Sequence, residues 1–521
     1  MNSTTLETAT TTTFMSSIKI KRALLSVSDK TDLLPLAEML HAMGCEIVST
    51  GGTGRKLTEA GIPITDISVV TGNPEAFGGR MKTISFNIES ALLFDREKDA
   101  EEAANLNIEA IDMVVCNLYP FENVKAAGAD FDTLIENIDI GGPTMVRAAA
   151  KNFKYVTVLT QPSDYTNVIK ELQDNNGAIS YNTRKELMRK AFNHTADYDA
   201  MIAETMDAES GVESLRLGFS GGQELRYGEN SHQTAHLFRQ NGVAHALNDM
   251  QVLHGKALSF NNILDIQGAI DSVRGLNRIA CSVIKHSNPC GLCEGDNQAD
   301  VLARAWAGDP ISAFGSIIAF NTPVTLDTVQ FFQLDAEKKS QRKFVEVIIA
   351  PSFTNEALAY LQQHKNLRII AFDVNAPRTG KDLRYFNGAL LVQDLDEKLY
   401  DKMEIATDST DVIDNYEGLV SFGLKAISQI KSNAIVLVRE AEGCYELLGM
   451  GAGQPNRLVA TKLAVEKATE NLTKSYAGHV NDLEAHLKTE IGKAMLISDA
   501  FFPFADNVEL AALYGVKTIV Q

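Results

Sequence analysis

The side chains best equipped for chemistry are Lys285 and His286, which close the apolar run Ile279, Ala280, Val283, Ile284. Such a run reads as a buried strand, and Asn288-Pro289 just beyond it is expected to turn the chain, so the pair is presented at a loop. Lysine brings positive charge, and histidine a proton that can move near neutral pH. A surface lysine beside a structural histidine would look the same, so the surrounding segments must decide. Cys290 and Cys293 follow as Pro-Cys-x-x-Cys, half of a zinc nucleotide-deaminase signature. The other half, His-x-Glu, occurs nowhere in the chain, and the pair reads as two buried thiols rather than zinc ligands.

A second set of candidates lies nearer the N-terminus. Ala23 to Val27 reads as a strand, and Ser28-Asp29 as the cap of a helix carrying Leu33, Leu36, Ala37 and Leu40 and stopped by Gly44. Cys45 to Ser49 is a second strand, Thr50-Gly51-Gly52-Thr53 opens a second helix, and Ile64 to Ile67 is a third strand. Strands alternating with helices imply a parallel sheet covered on both faces, with ligands at the carboxyl ends of its strands. Ser26, Ser28, Lys30 and Thr50 to Thr53 fall there, offering hydroxyls and N–H groups at helix starts, which suits a phosphate. No Gly-x-Gly-x-x-Gly follows the first strand and no Walker-type loop occurs, which disfavours dinucleotide binding or NTP hydrolysis. Arg80, Lys82 and Thr83 sit beside Gly78-Gly79, and Met113 to Val115 leads to Asn117 and Tyr119. Asp139, Gly141 and Gly142 precede a helix begun by Pro143, with Arg147 and Lys151 on one face. These loops together point to a phosphate-bearing small molecule.

Length and composition set the frame. A chain of 521 residues requires at least two domains. Its net charge of −19, from 48 Lys and Arg against 67 Asp and Glu, repels polyanions and argues against nucleic acid. Six scattered cysteines suit a reducing, cytoplasmic setting, and no apolar stretch reaches the ~18 residues of a membrane span. Residues 1–17 are Thr-rich without Lys or Arg and read as a disordered leader, with Met15 a second possible start. Leu217 to Gly222 reads as the boundary between domains at 18–215 and 216–521. Its Gly-x-Ser-x-Gly lacks the strand and helix that a serine nucleophile needs. Beyond it, Leu225 to Gln233, Asp309 to Phe320, Arg384 to Gly388, Lys431 to Ala434 and Gly451 to Arg457 repeat an apolar run and polar turn. A second α/β domain built of two related halves is expected.

In this order the segments resemble the bifunctional purine-biosynthesis enzymes that join AICAR transformylase to IMP cyclohydrolase. The resemblance runs through Ser26 to Thr31, Gly79 to Thr83, Cys116 to Phe121, Asp139 to Gly142, Leu225 to Gly228, Lys285 to Pro289 and Ser498 to Asn507. It implies a methylglyoxal-synthase-like parallel-sheet domain followed by a cytidine-deaminase-like transformylase domain without catalytic metal. It further implies AICAR, formyl-AICAR, IMP and the folate co-substrate 10-formyltetrahydrofolate as ligands, and a homodimer. By the same resemblance His286 takes a proton from AICAR, Lys285 supports charge, and Asn433 orients the formyl group. Arg226, Tyr227, Asn262, Phe314, Gly315, Glu346 and Arg457 hold nucleotide, and Phe501 and Asp506 meet folate. In the cyclohydrolase, Lys82, Tyr119, Asp139 and Lys151 move protons and steady the oxyanion. Ser26, Ser28, Lys30, Thr50, Gly51, Gly52, Thr53, Arg80, Thr83, Asn117, Gly141 and Gly142 cradle the nucleotide. Three departures stand out: Ile84-Ser85-Phe86 where relatives have Leu-His-Pro, Ser231 in place of proline, and an end at Gln521 where relatives continue to Arg-x-Phe-x-His. The last opens an alternative, a cyclohydrolase whose transformylase half binds nucleotide and folate without transferring formyl.

Overall fold

The computed structural model describes residues 17–407 and 416–521; nearly all of the expected leader lies outside them. The chain divides into two compact units, one ending at Gly218 and the other running from Phe219 to Gln521.

The first unit is built on five parallel strands in the order β3-β2-β1-β4-β5, where β1 is Arg22–Leu25, β2 Glu46–Ser49, β3 Thr65–Asp66, β4 Met113–Val115 and β5 Thr157–Leu159. Helices α1 (Leu33–Ala42), α2 (Gly51–Glu59), α3 (Gly141–Lys151) and α4 (Tyr181–Glu209) are its longer or functionally placed helices. The strands are apolar on both faces because helices cover both, and two cores result, one around Leu24, Val114 and Val146 and one around Leu25, Leu36 and Val115. Chain direction across the sheet reverses between β1 and β4, so the loops leaving these strands diverge and open a crevice. Two local expectations shift. Ser28-Asp29 does not cap α1, whose preceding residue is Asp32; the Asp29 carboxylate instead accepts from Thr31 N and Oγ1 at 2.9 and 2.7 Å. Ile67 leaves the third strand and begins a short helix capped by Asp66.

The second unit holds a ten-stranded sheet in the order β6-β11-β10-β9-β7-β8-β13-β12-β14-β15. These strands are β6 Gln251–His254, β7 Ile279–Lys285, β8 Asn288–Gly295, β9 Ser316–Phe320, β10 Val345–Ala350, β11 Arg368–Ala371, β12 Ile435–Ala441, β13 Cys444–Gly451, β14 Met495–Ser498 and β15 Thr518–Val520. Helices α5 (Phe260–Val273), α6 (Gln298–Ala307), α7 (Tyr416–Ser428) and α8 (Arg457–Ser475) pack on it. One pattern occurs twice: helix, hairpin, helix, an antiparallel strand beside the first hairpin strand, then a parallel neighbour. It runs α5-β7-β8-α6-β9-β10 and again α7-β12-β13-α8-β14-β15. The halves meet at β8 and β13, which pair at Cys293–Glu446 and Glu294–Tyr445. Phe219 to Leu225, expected to start as linker, is a strand of a two-stranded ribbon with Ala235–Gln240.

Candidate active sites

In the first unit the crevice is a cavity of about 720 Å³. Its floor is the loop after β1, locked from both sides. Asn117 Oδ1 accepts from Ser28 N (2.6 Å) and Asp29 N (2.8 Å), while Thr53 Oγ1 accepts from Val27 N at 3.0 Å. Lys30 Nζ folds back to donate to Val27 O and Ser28 O at 3.3 and 3.2 Å. The start of α2 lies between two ammonium groups: a Cβ on Gly51 would stand 2.5 Å from Lys82 Nζ, and one on Gly52 3.8 Å from Lys30 Nζ. Free N–H groups of a helix start flanked by two lysines form an anion cradle. At the rim Lys82 faces Glu75 (3.5 Å) and Arg80 faces Glu136 (2.5 Å).

Asp139 lines the same cavity. Its Oδ1 accepts from Gly142 N at 2.8 Å and its Oδ2 from Tyr119 N at 3.4 Å. Burial outweighs these bonds and pushes the carboxyl above the usual range; burial and the Asp139 charge push the Tyr119 phenol up as well. Gly142 is small because Asp139 presses on it: a Cβ there would lie 2.5 Å from Asp139 Oδ2. Ser26, Ser28, Lys30, Thr50, Gly52, Thr53, Arg80, Lys82, Thr83, Asn117, Tyr119, Asp139, Gly141 and Gly142 all line the cavity, and Gly51 lines an adjoining one of about 660 Å³. Lys151 does not join them. It ends α3, which starts at the cavity with Gly141, so at ~1.5 Å per residue it lies about 15 Å further along the axis. Arg147, its expected companion toward an anion, stacks on Phe192 at 5.5 Å. Sequence reasoning missed Glu75, Glu136 and, behind Asp139, Tyr198.

In the second unit β7 ends at Lys285, whose Nζ donates to the carbonyls of Phe314 (2.9 Å) and Gly315 (3.2 Å). The turn falls two residues earlier than expected. His286 (φ 50°) and Ser287 (φ 60°) form the two-residue loop, and Asn288 and Pro289 already belong to the returning strand, with Lys285 opposite Asn288. The loop is held by Asp265 of α5, whose Oδ1 accepts from Ser287 N at 2.7 Å, and His286 is exposed.

Strand register places the other candidates along the same sheet edge. Ile284 pairs with Ile317, so the start of β9 and Phe314-Gly315 lie beside Lys285. Ser316 pairs with Val345, which brings Glu346 to the edge, where it meets Arg368 at 2.7 Å. In the other half Ile435 pairs with Gly451 and Ser498, so Asn433, the loop 452–456 and Phe501 emerge at that edge too. Asn433 Nδ2 donates to Gln454 O (2.8 Å), Arg457 pairs with Asp499 (2.9 Å), and Phe501 is 70% exposed. Three strand spacings of ~4.8 Å separate β7 from β12, about 14 Å between the His286 and Asn433 groups. Arg226 lies over the Tyr227 ring at 5.2 Å, and their segment bonds to Leu258 and Phe260 at the start of α5. Asn262 is occupied as a cap partner of Ser259, and Asp506 accepts from Asn507 N.

Helix α8, from the second half, steadies this edge. Asn471 Nδ2 donates to Gly308 O and Leu448 O at 2.5 and 2.9 Å, and Lys467 pairs with Asp309 at 3.2 Å. These contacts fix the start of the loop that carries Phe314 and Gly315. Cys290 and Cys293 are buried in the sheet; burial pushes the Cys290 thiol up to about 12 and that of Cys293 higher. Among the described residues no group of three or more His, Cys, Asp or Glu could hold a metal ion.

Two family models match the chain, an MGS-like domain over residues 32–144 and the AICARFT/IMPCHase bienzyme over 149–467. The bifunctional purine biosynthesis protein PurH of Persephonella marina is 40% identical over 96% of this chain and 94% of its own length. The chain belongs to the PurH family. PurH of Clostridium botulinum strain Hall is likewise 40% identical over 96% of this chain and 94% of the relative. PurH of Acetivibrio thermocellus gives the same figures. The crystal structure of ForH is 38% identical, covering 37% of this chain and 99% of that one at a TM-score of 0.33. The MGS-like match falls within the parallel-sheet unit, and the bienzyme match starts inside that unit and runs through most of the second.

Proposed function

We propose that this PurH-family chain transfers formyl from 10-formyltetrahydrofolate to AICAR in residues 216–521 and closes formyl-AICAR to IMP in residues 18–215. The observation that carries the reading is a single cavity lined both by a helix start flanked by Lys30 and Lys82 and by the half-buried Asp139. The cradle suits a nucleotide phosphate, which leaves the base toward Asp139 and Tyr119.

In cyclisation the carboxamide nitrogen attacks the formyl carbon, a C–N bond forms, and the carbinol oxygen departs as water. Asp139, its carboxyl pKa raised by burial and its side chain lining the cavity, is suited to take the amide proton and return one to the leaving oxygen. Lys82 offsets charge on that oxygen. In formyl transfer the amine of AICAR is a weak nucleophile because its lone pair is delocalised. His286 receives its proton as the C–N bond forms and tetrahydrofolate leaves, Lys285 holds positive charge where two carbonyls fix it, and Asn433 orients the formyl oxygen. Lys151 has no part in this scheme.

The chain acts as a cytoplasmic homodimer without metal in this reading. Support for self-association comes from the ribbon Asp382–Phe386 and Ala389–Gln393, which exposes Tyr385 and Leu390 on one face and Phe386 and Leu391 on the other. Assaying the two half-reactions separately tests the scheme. Both should proceed; cyclisation alone would leave the second unit a binding module, and loss of both would refute the reading.

A further inference from the structure

We propose that Tyr198 is a positioning residue for the cyclohydrolase, acting through Asp139; this rests on the reading of Asp139 given above. Tyr198 belongs to α4, 59 residues beyond Asp139, and does not line the cavity. It is 6% exposed, and its ring meets Phe121 edge-on at 6.4 Å between centroids. Its hydroxyl accepts from the backbone N–H of Asp139 at 2.8 Å and points its own hydrogen toward Asn137 O at 3.4 Å. The turn 137–139 is thereby stapled to a long helix at the residue whose carboxylate faces the substrate.

The staple matters because, among the described residues, the Tyr198 hydroxyl is the acceptor that holds the Asp139 N–H. The carboxylate has two tethers, Gly142 N and the longer contact to Tyr119 N, and both are loop or helix-start amides on the cavity side. Without the Tyr198 hydroxyl, the Asp139 N–H loses its acceptor in a dry region and the turn relaxes toward water. Tyr198 lines neither of the cavities that hold the phosphate cradle at the start of α2. Loss of the hydroxyl should therefore lower turnover and spare substrate affinity.

The test is a double-mutant cycle in the full-length chain with Tyr198→Phe and Asp139→Asn, following IMP formation from supplied formyl-AICAR. Tyr198→Phe keeps the ring and its packing. The expected result is a kcat lower by about ten- to a hundred-fold, the cost of a carboxylate displaced by a fraction of an ångström to 1 Å, with KM within about twofold. In the Asp139→Asn background the same change should cost less than about twofold, because the group it positions is gone. An equal cost in both backgrounds, a rise in KM without loss of kcat, or no effect in the parent would overturn the proposal. Full activity of Asp139→Asn alone would instead strike down the reading of Asp139 and this inference with it. An inactive Asp139→Asn beside an unaffected Tyr198→Phe would remove only the inference.

Discussion

Replacing Gly142 with alanine probes the cyclohydrolase geometry with a single methyl group. The added Cβ would stand 2.5 Å from Asp139 Oδ2, 2.9 Å from its Cγ and 2.8 Å from Leu118 Cδ2, where ordinary contact begins at 3.4 Å. The carboxylate must retreat by about 1 Å, and a misplacement of that size costs on the order of 100-fold in rate. Stability should change little. Gly142 lies in α3 without a positive φ, so alanine gains up to about 1 kcal/mol of helix propensity against an overpacking cost of about 1–3 kcal/mol. The assay is the initial rate of IMP formation from formyl-AICAR, beside formyl transfer measured on AICAR. The expected outcome is cyclisation down about 100-fold, with formyl transfer unchanged and a melting temperature within a few degrees. A folded variant that cyclises at the parental rate would refute the placement of Asp139 at the reaction centre.

Burial raises the folded-state pKa of Asp139 above its unfolded value, so the native state binds the extra proton and its stability falls as pH climbs through the window between the two. Asp139→Asn should therefore raise the melting temperature more at about pH 7.5 than at about pH 4; an equal shift at both would contradict the burial argument. Arg184 is 1% exposed and donates to the carbonyls of Phe153, Ile179 and Lys154. Arg184→Met should lower unfolding free energy by about 3 kcal/mol in urea titration, and an unchanged midpoint would show that the guanidinium holds nothing together. Asp265→Ala removes the acceptor of Ser287 N and Oγ. Formyl transfer should fall by about tenfold or more while cyclisation holds, and equal activity in both assays would mean that the His286 turn is fixed by the strands alone.

Much of this was legible in the sequence because the first unit obeys a local rule: an apolar run, then hydroxyls and glycine, then a helix. That rule placed Ser26, Thr50 and Asn117 at strand ends without any knowledge of strand order. Misreadings arose where local signals compete. Asn288-Pro289 carries the strongest turn chemistry near His286, yet the backbone turns at His286-Ser287 with both residues at positive φ, and Pro289 is absorbed by a register shift between Val283 and Ile284. The helix bearing Arg147 and Lys151 was read correctly, but helical spacing gives a shared face and no distance from the cavity, which lies at the opposite end. Tyr198, Asp265 and Asn471 were invisible for a simpler reason. They reach their partners from 59, 22 and 163 residues away, and only the assembled fold brings them near.

The proposed chemistry runs in two independent centres of one chain. Its most direct test is a crossed comparison of His286→Ala and Lys82→Ala in both half-reactions. His286→Ala should abolish formyl transfer and leave cyclisation at the parental rate, and Lys82→Ala should do the reverse; loss of both activities in either folded variant would contradict it.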